Sequence, residues 1–523
     1  MVSPPCRPIF WVLLVLWGTS TTTNVVVVNA QQTSSSSSRS ISIARKTTTS
    51  SLFSPPPPPH RQLSQRTAAR LQGGATSQPP PSSQQQRQRS PPSMYWAVLH
   101  NWMYFLSLGF NAINIQFLVR EIIDGDAKAT PSAQSIALSG RVESVDKLLT
   151  FCGIGLLSAL SDKVGRKPLM AWSAIGFMMT NLIQASSLSL SSLWTGKSDG
   201  SAVPWLYLAD FVDGCSSCML PLCQAYITDV SSPSQLAGNL GIFQGLSAGG
   251  AFVFAFPIGG ILGAKYGPRV PLYLAAAVQF VNALILLFVT PESHTDREGV
   301  TTLDWTHDNP MGGLTRLFGH ARILRVTAAV YFLANLARSS LDAQFTNYSN
   351  IRFGWTQAQS GPVLVMVGFM LAVAPRLLVP RLGLQNSILS GLLIFAAGLT
   401  GCGLVPTSSQ FVWSIFVVSI GTMCLPALTA LLANLAEPHE RGALLGAAGS
   451  LTELTGAIGS TLYASILAQF TSPTPPVPNV PGMHFLLGAG LLMVAWLIAL
   501  PGFLTDKDHP AFQTKREELQ EHL

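Results

Sequence analysis

Ser158-Ala-Leu-Ser-Asp162-Lys163-Val-Gly165-Arg166-Lys167 separates two apolar runs, residues 148–157 and 169–182. One acid and three bases are packed into a turn that contains a single glycine. A soluble core has no place for such a hydrophilic break. Between two membrane-crossing segments it is a short loop, and its Lys/Arg excess holds it on the cytoplasmic side. Gly165 permits the reversal because glycine alone turns freely. Asp162 and Arg166 can pair with each other and with helix ends.

Composition extends that reading to the whole chain. At 523 residues, 48% hydrophobic and 11% charged, the sequence is too apolar and charge-poor for an average soluble domain. Residues 1–93 hold nine Lys/Arg and no acid, which leaves 22 bases against 24 acids in the remainder. The net charge of +7 therefore belongs to the N-terminal tail, and no nucleic-acid partner is implied. Six of the seven cysteines lie in or beside apolar runs, so no disulfide framework is expected. Cys215-x-x-Cys218, with no second pair of cysteines or histidines to complete a metal set, reads as packing within an apolar helix.

Residues 1–30 carry Arg7, a ten-residue apolar core and Val28-Asn29-Ala30, the pattern of a signal peptide. Residues 31–93 are rich in Ser, Thr, Gln and Pro and cannot build a core, so disorder is expected. Being Arg-rich and acid-free, they also resemble a transit peptide; a two-part presequence of the complex-plastid kind and a plain N-terminal extension before Met94 both stay open. A plastid envelope is accordingly an alternative to an endomembrane or the plasma membrane.

From Met94 onward twelve apolar spans approach the ~20 residues a membrane helix needs. They cover 94–119, 142–160, 168–188, 203–228, 240–263, 271–290, 323–346, 359–379, 385–405, 411–432, 443–466 and 482–503. The expectation is an all-α membrane protein with an N-terminal six-helix bundle (94–292), a cytosolic linker (293–321), a C-terminal six-helix bundle (322–505) and a cytosolic tail (506–523). Thirteen bases on the motif's side against seven on the other support this topology. The halves are related: Pro221, Pro233 and Gly241 recur as Pro426, Pro438 and Gly446 at a constant offset of 205, and Lys163-Val-Gly165 has a counterpart in Arg381-Leu-Gly383. Parallel six-helix repeats are a transporter architecture whose binding site lies between the halves.

The opening stretch resembles the signature loop of the major facilitator superfamily, with Ser158 in place of the leading glycine. Leu157–Lys167, Ala225-Tyr-Ile-Thr-Asp229, Pro291-Glu-Ser293, Asp304-Trp with Asn309-Pro310, and Arg352-Phe-Gly-Trp355 are similar to its tetracycline-efflux-like and hippocampus-abundant-transcript-like branch. The resemblance implies a twelve-helix transporter and assigns Asp162, Gly165, Arg166, Lys167 and Asp229 to a gate. Two departures weigh against drug/proton antiport: Asp210 stands where antiporters carry an arginine, and Phe252 and Phe256 stand where glycines are expected before Pro257-x-Gly259-Gly260.

Ionisable groups inside a bilayer cost about 2.5–3.5 kcal/mol and are functional by default. Asp210 and Asp213 share one face of span 4, which suits proton coupling or a cation site, with Asp342 as a further coupling acid. Span 1 carries a polar stripe of His100, Tyr104, Ser107, Asn111 and Asn114; span 7 carries Tyr331, Asn335, Arg338 and Asp342. Matching stripes on equivalent helices predict a substrate cavity of His100, Tyr104, Asn111, Asn114, Tyr331, Asn335 and Arg338, although interhelical bonding alone would give the same pattern. Glu453 and Gln244 are weaker candidates, and Glu143, Asp146 and Lys147 are expected to pair with each other. The reading is a monomeric transporter of a small organic solute in a lipid bilayer, coupled to protons, with a facilitative uniporter and a non-transporting receptor or chaperone as alternatives. No metal or cofactor site and no enzyme motif is expected.

Overall fold

The computed structural model describes residues 92–195, 202–231, 239–240, 242–243, 245–294, 317–318, 321–435, 441–472, 480–505 and 509–512. The expected signal peptide, nearly all of the low-complexity segment and most of the linker and tail lie outside these residues, as does Gln244.

Span 1 is α1 (Met94–Asp124), span 2 is α2 (Ala133–Val164) and span 3 is α3 (Arg166–Thr195). α2 begins well before its apolar run because the Ser132 hydroxyl accepts from the Ser135 amide and caps the helix early. Gly165 then reverses the chain at φ 109°, a left-handed conformation costly for other residues. The matched turn in the second half behaves likewise. α9 (Gln357–Leu404) is bent at Gly383 (φ 75°), so it supplies both spans 8 and 9.

Spans 4 and 10 are not continuous helices, which corrects the sequence reading. Span 4 comprises α4 (Val203–Gly214) and α5 (Met219–Val230); span 10 comprises α10 (Ser408–Gly421) and α11 (Cys424–Leu435). Residues 219–230 shifted by 205 are 424–435, so the internal repeat extends to the position of the break. Pro221 and Pro426 fall in the first turn of the second segment, where a missing N–H removes no helical bond. Cys215-x-x-Cys218 forms the interruption itself and not part of a helix, with Cys215 exposed and Cys218 buried.

Span 5 is a π-turn (Gly245–Gly249) leading into α6 (Gly250–Tyr266), and span 6 is α7 (Arg269–Phe288). Span 7 is α8 (Arg322–Phe353), span 11 is α12 (Arg441–Phe470) and span 12 is α13 (Met483–Thr505). Among the described residues, six helical stretches are individually long and apolar enough to cross a membrane. Large apolar side chains such as Phe254, Phe280, Trp413 and Leu497 are exposed on the outer surface, as a lipid-facing wall requires.

The two cores differ. The second half has one continuous apolar cluster, running from Ile323 through Phe395, Leu428 and Phe485 to Phe503. The first half is divided, with one cluster around Leu169, Leu222 and Tyr226 and another around Leu118, Leu206 and Leu272. The first half also buries Asn111, Asn181, Gln184 and Asp210. Burying four polar side chains in place of hydrocarbon is tolerable only where they satisfy one another.

Candidate solute cavity and gate

The span 1 stripe divides into two lines. At 100° per residue, His100, Ser107 and Asn114 fall on one line, and Tyr104 and Asn111 on another about 40° away. The first line faces α6 and α7. His100 Nδ1 lies 2.7 Å from Asn282 Oδ1 and its Nε2 lies 2.8 Å from Thr290 Oγ1. The Ser107 hydroxyl donates to the Ala275 carbonyl at 3.0 Å, and Asn114 Nδ2 donates to the Phe110 and Gly259 carbonyls at 2.8 and 3.2 Å. His100 and Asn114 therefore stand apart from the cavity for which the stripe nominated them. Bonding within the first half engages both ring nitrogens of His100 and the Asn114 amide nitrogen, while Asn114 Oδ1 is buried without a partner.

The second line faces α3 and α4. Asn111 Nδ2 donates to Asn181 Oδ1 at 2.9 Å and to Gln184 Oε1 at 2.7 Å. Gln184 Nε2 passes the chain on to Asp210 Oδ1 at 2.9 Å. Asp210 is thus held by a ladder that begins on span 1. Tyr104 packs on Phe177 with ring centroids 5.0 Å apart and has Asp213, Asp146 and Lys147 as charged neighbours. Asp213 is differently placed: its Oδ1 is shut off from solvent and accepts no hydrogen bond. Asp146, Asp210 and Lys147 are its charged neighbours.

A cavity of about 150 Å³ opens between α2, α8 and α12. Asn335, Arg338 and Asp342 from span 7 line it, with Thr452 and Glu453 from span 11 and Glu143 and Lys147 from span 2. Tyr331 stands beside it, its hydroxyl 3.1 Å from Thr452 Oγ1. Arg338 Nε and Asp342 Oδ2 form an i,i+4 pair at 3.0 Å. Both side chains are more than a third exposed, so the pair is weak and free to rearrange.

Lys147 is the residue that periodicity did not promote. Its ammonium lies 3.7 Å from Asp146 Oδ2 in its own helix and 3.3 Å from Glu453 Oε2 on the opposite half. Lys147 thus pairs with Asp146, as expected of the group Glu143, Asp146 and Lys147, and also with Glu453, which that expectation did not include. The partner across the halves had no signal in sequence beyond an isolated acid in an apolar span.

Hydrogen bonds also join the halves nearer the side away from the motif. Gln116 Nε2 donates to the Ala343 carbonyl at 2.8 Å, and Arg120 Nη2 reaches Asn347 Oδ1 at 3.4 Å. The Ser144 hydroxyl donates to the Ala457 carbonyl at 2.6 Å, and the Thr461 hydroxyl to the Gly140 carbonyl at 3.4 Å. Gly140 brings α2 against Ser460 and Ala464, and Gly361 brings α9 against the Phe256 carbonyl. This far-side seam is built from small residues, neutral donors and one guanidinium, that of Arg120.

On the motif's side, Arg166 is a buried hub. Its guanidinium contacts Asp162 and the Ser161 hydroxyl, and its Nε lies 3.2 Å from Asp229 Oδ2. Glu292 completes the hub: its Oε1 accepts from the Arg166 amide at 2.9 Å and its Oε2 from the Lys167 amide at 3.3 Å. A carboxylate at the first turn of α3 satisfies amides that have no helical partner. The Ser293 hydroxyl donates to Asp229 Oδ2 at 2.9 Å. The residues that the resemblance assigned to a gate, with Glu292 and Ser293, thus tie together the ends of spans 2, 3, 4 and 6. Pro291-Glu292-Ser293 had carried only the resemblance, and it supplies two members of the hub.

Two matched six-helix halves, a polar chamber between them and a charged loop hub define a multi-pass membrane transporter. The chain belongs to the major facilitator superfamily, whose family model matches residues 101–459 and 377–523. Hippocampus abundant transcript-like protein 1 of Homo sapiens is 24% identical over 432 residues, covering 78% of this chain and 80% of its own. Tetracycline resistance protein, class B, of Escherichia coli is 26% identical over 370 residues, covering 69% of this chain and 84% of its own. Among solved structures, a D-xylose-proton symporter superposes with a TM-score of 0.60 at 14% identity, covering 78% of this chain and 97% of its own. The human organic anion transporter MFSD10 (TETRAN) gives a TM-score of 0.56 at 18% identity, covering 78% and 98%.

Proposed function

We propose that the chain moves a small organic solute across its membrane by alternating access, coupled to protons through Asp213. The observation that carries this reading is a buried, unpartnered carboxylate oxygen on Asp213, which has Asp146 and Lys147 of span 2 and Glu453 of the second half as charged neighbours. An uncompensated carboxylate in a low-dielectric interior is driven to take up a proton or a cation. Asp210, held by Gln184, positions the acid pair. Asp342 with Arg338, and Asn335 beside them, supply the solute-facing polar groups.

The far-side seam supports alternating access energetically. Five hydrogen bonds, Gln116–Ala343, Arg120–Asn347, Asn347–Ser139, Ser144–Ala457 and Thr461–Gly140, help to hold it. At a net ~0.5–1.5 kcal/mol each, together they are worth only a few kcal/mol. That is the scale separating two interconverting states of one protein. The hub around Arg166 ties four spans of the first half, so that half can rock as one body.

The test begins with a thermal-shift screen for a stabilising solute, followed by uptake of that solute into proteoliposomes. A pH gradient should accelerate net uptake, and Asp213→Asn should abolish the acceleration while leaving exchange. Uptake indifferent both to the gradient and to Asp213→Asn would remove proton coupling and leave a facilitative carrier.

A further inference from the structure

The chamber holds more acid than the chain itself neutralises. Glu143, Asp146, Asp210, Asp213 and Glu453 form one electrostatic group around Lys147. Arg338, the other cation on the cavity wall, is engaged with Asp342. Two carboxylate oxygens of the group, Asp146 Oδ1 and Asp213 Oδ1, are closed to solvent and have no hydrogen-bond partner. Neutral donors and acceptors, Asn335, Ser339, Thr452 and Thr455, complete the lining.

Into this setting the chain inserts an ammonium. Lys147 Nζ sits between Asp146 of one half and Glu453 of the other, at 3.7 and 3.3 Å. Its stem runs past Gly456, where an added Cβ would stand 3.3 Å from Lys147 Cδ; glycine leaves the stem that clearance. A lysine head is a compact, strongly hydrated point charge on a flexible four-carbon tether. Chemically it is an alkylammonium already seated in a solute cavity.

We propose that Lys147 is the tethered occupant of a cation subsite, and that the transported solute is a small organic cation, an amine or guanidine, whose charge displaces Lys147 from Glu453. This rests on the transport reading above and names its substrate class. A neutral solute that moved the lysine would leave Glu453 facing the cavity uncompensated, and an anion would add like charge to an acid-rich group; both are disfavoured. A cation substitutes charge for charge. The cavity of about 150 Å³ is comparable to one that accommodates benzene, so it fits the charged head of such a solute. Displacement also has a mechanical consequence, because Lys147–Glu453 joins α2 to α12. Freed from it, the far-side seam is held by hydrogen bonds and small-residue packing, with no ion pair between the halves among the described residues.

The experiment uses the purified full-length protein and thermal unfolding, with agmatine, choline and tyramine as cationic probes, glucose as a neutral one, succinate as an anionic one and Mg²⁺ alone as an inorganic control. At least one organic cation should raise Tm saturably, as a ligand binding only the folded state must; glucose, succinate and Mg²⁺ should not. Glu453→Gln should weaken that probe by about tenfold or more, since it removes one member of a charge pair. Lys147→Ala should tighten it by removing the competing ammonium, and Lys147→Arg should not. A purely structural lysine would give no tightening. If Glu453→Gln fails to fold, Glu143→Gln serves as the weakened variant. Stabilisation by glucose or succinate that ignores Glu453→Gln would overturn the substrate class while leaving transport intact. No response to any organic cation, or a response to Mg²⁺ alone, would overturn the subsite. Gradient-driven uptake tests the transport reading separately.

Discussion

Replacing Gly361 by alanine should loosen the far-side seam without weakening either half. An added Cβ would stand 2.8 Å from the Phe256 carbonyl oxygen, 3.1 Å from its carbon and 3.3 Å from Pro257 Cα. Ordinary contact begins at 3.4 Å, so the nearest atom is 0.6 Å too close. All three neighbours are main chain and cannot rotate away. Overpacking of this kind costs about 1–3 kcal/mol. That penalty exists only while the seam is closed, and it converts to a shift of about 5- to 150-fold toward the open state. Within its own helix alanine is favoured over glycine by about 0.5–1 kcal/mol, whichever way the halves face. The two effects separate in one assay. Ser144→Cys, at the seam, is labelled by a membrane-impermeant thiol reagent in a background from which exposed Cys152 and Cys215 have been removed. Gly361→Ala should accelerate labelling within that range. Unchanged labelling together with a raised Tm would show the helix effect alone and refute the seam argument.

Other expectations follow from the same geometry. Arg166→Gln leaves Asp229 partly buried with only the Ser293 hydroxyl as a described partner, and should lower stability by about 3 kcal/mol in thermal unfolding; Arg166→Lys should recover only part because it lacks the guanidinium fork. His100→Ala removes two buried side-chain bonds and should cost about 1–3 kcal/mol, yet leave the KM of the transported solute unchanged, whereas Asn335→Ala should raise KM. A double-mutant cycle of Lys147→Ala and Glu453→Gln, read by unfolding, should give a coupling of about 0.5–3 kcal/mol; additive effects would mean that the pair does not hold the halves together.

Much of the fold was legible because hydropathy and loop charge are local properties of sequence. The turn at Gly165, the matching turn at Gly383 and the offset of 205 needed no partner to be read. The breaks in spans 4 and 10 were hidden because an apolar run looks the same whether its helix is continuous or interrupted. Pro221 and Pro426 were visible, but without the break their first-turn role was not. The site was less legible. A polar stripe gives a direction around one helix and says nothing of what lies opposite, so His100 and Tyr104, about 40° apart, meet different neighbours. The pairing of Lys147 with Glu453 depends on how two halves dock, and no helical period carries that information. Arg338 with Asp342 was foreseeable because both lie on one helix turn.

The central claim is that two six-helix bodies part at the far-side seam to expose the chamber around Lys147. A cysteine pair replacing Ser144 and Ala457, whose side-chain and carbonyl oxygens lie 2.6 Å apart, would lock that seam when oxidised. In proteoliposomes the locked protein should stop carrying its stabilising solute and regain the rate of the unlocked protein on reduction. Transport at an undiminished rate with the cross-link fully formed would contradict the account.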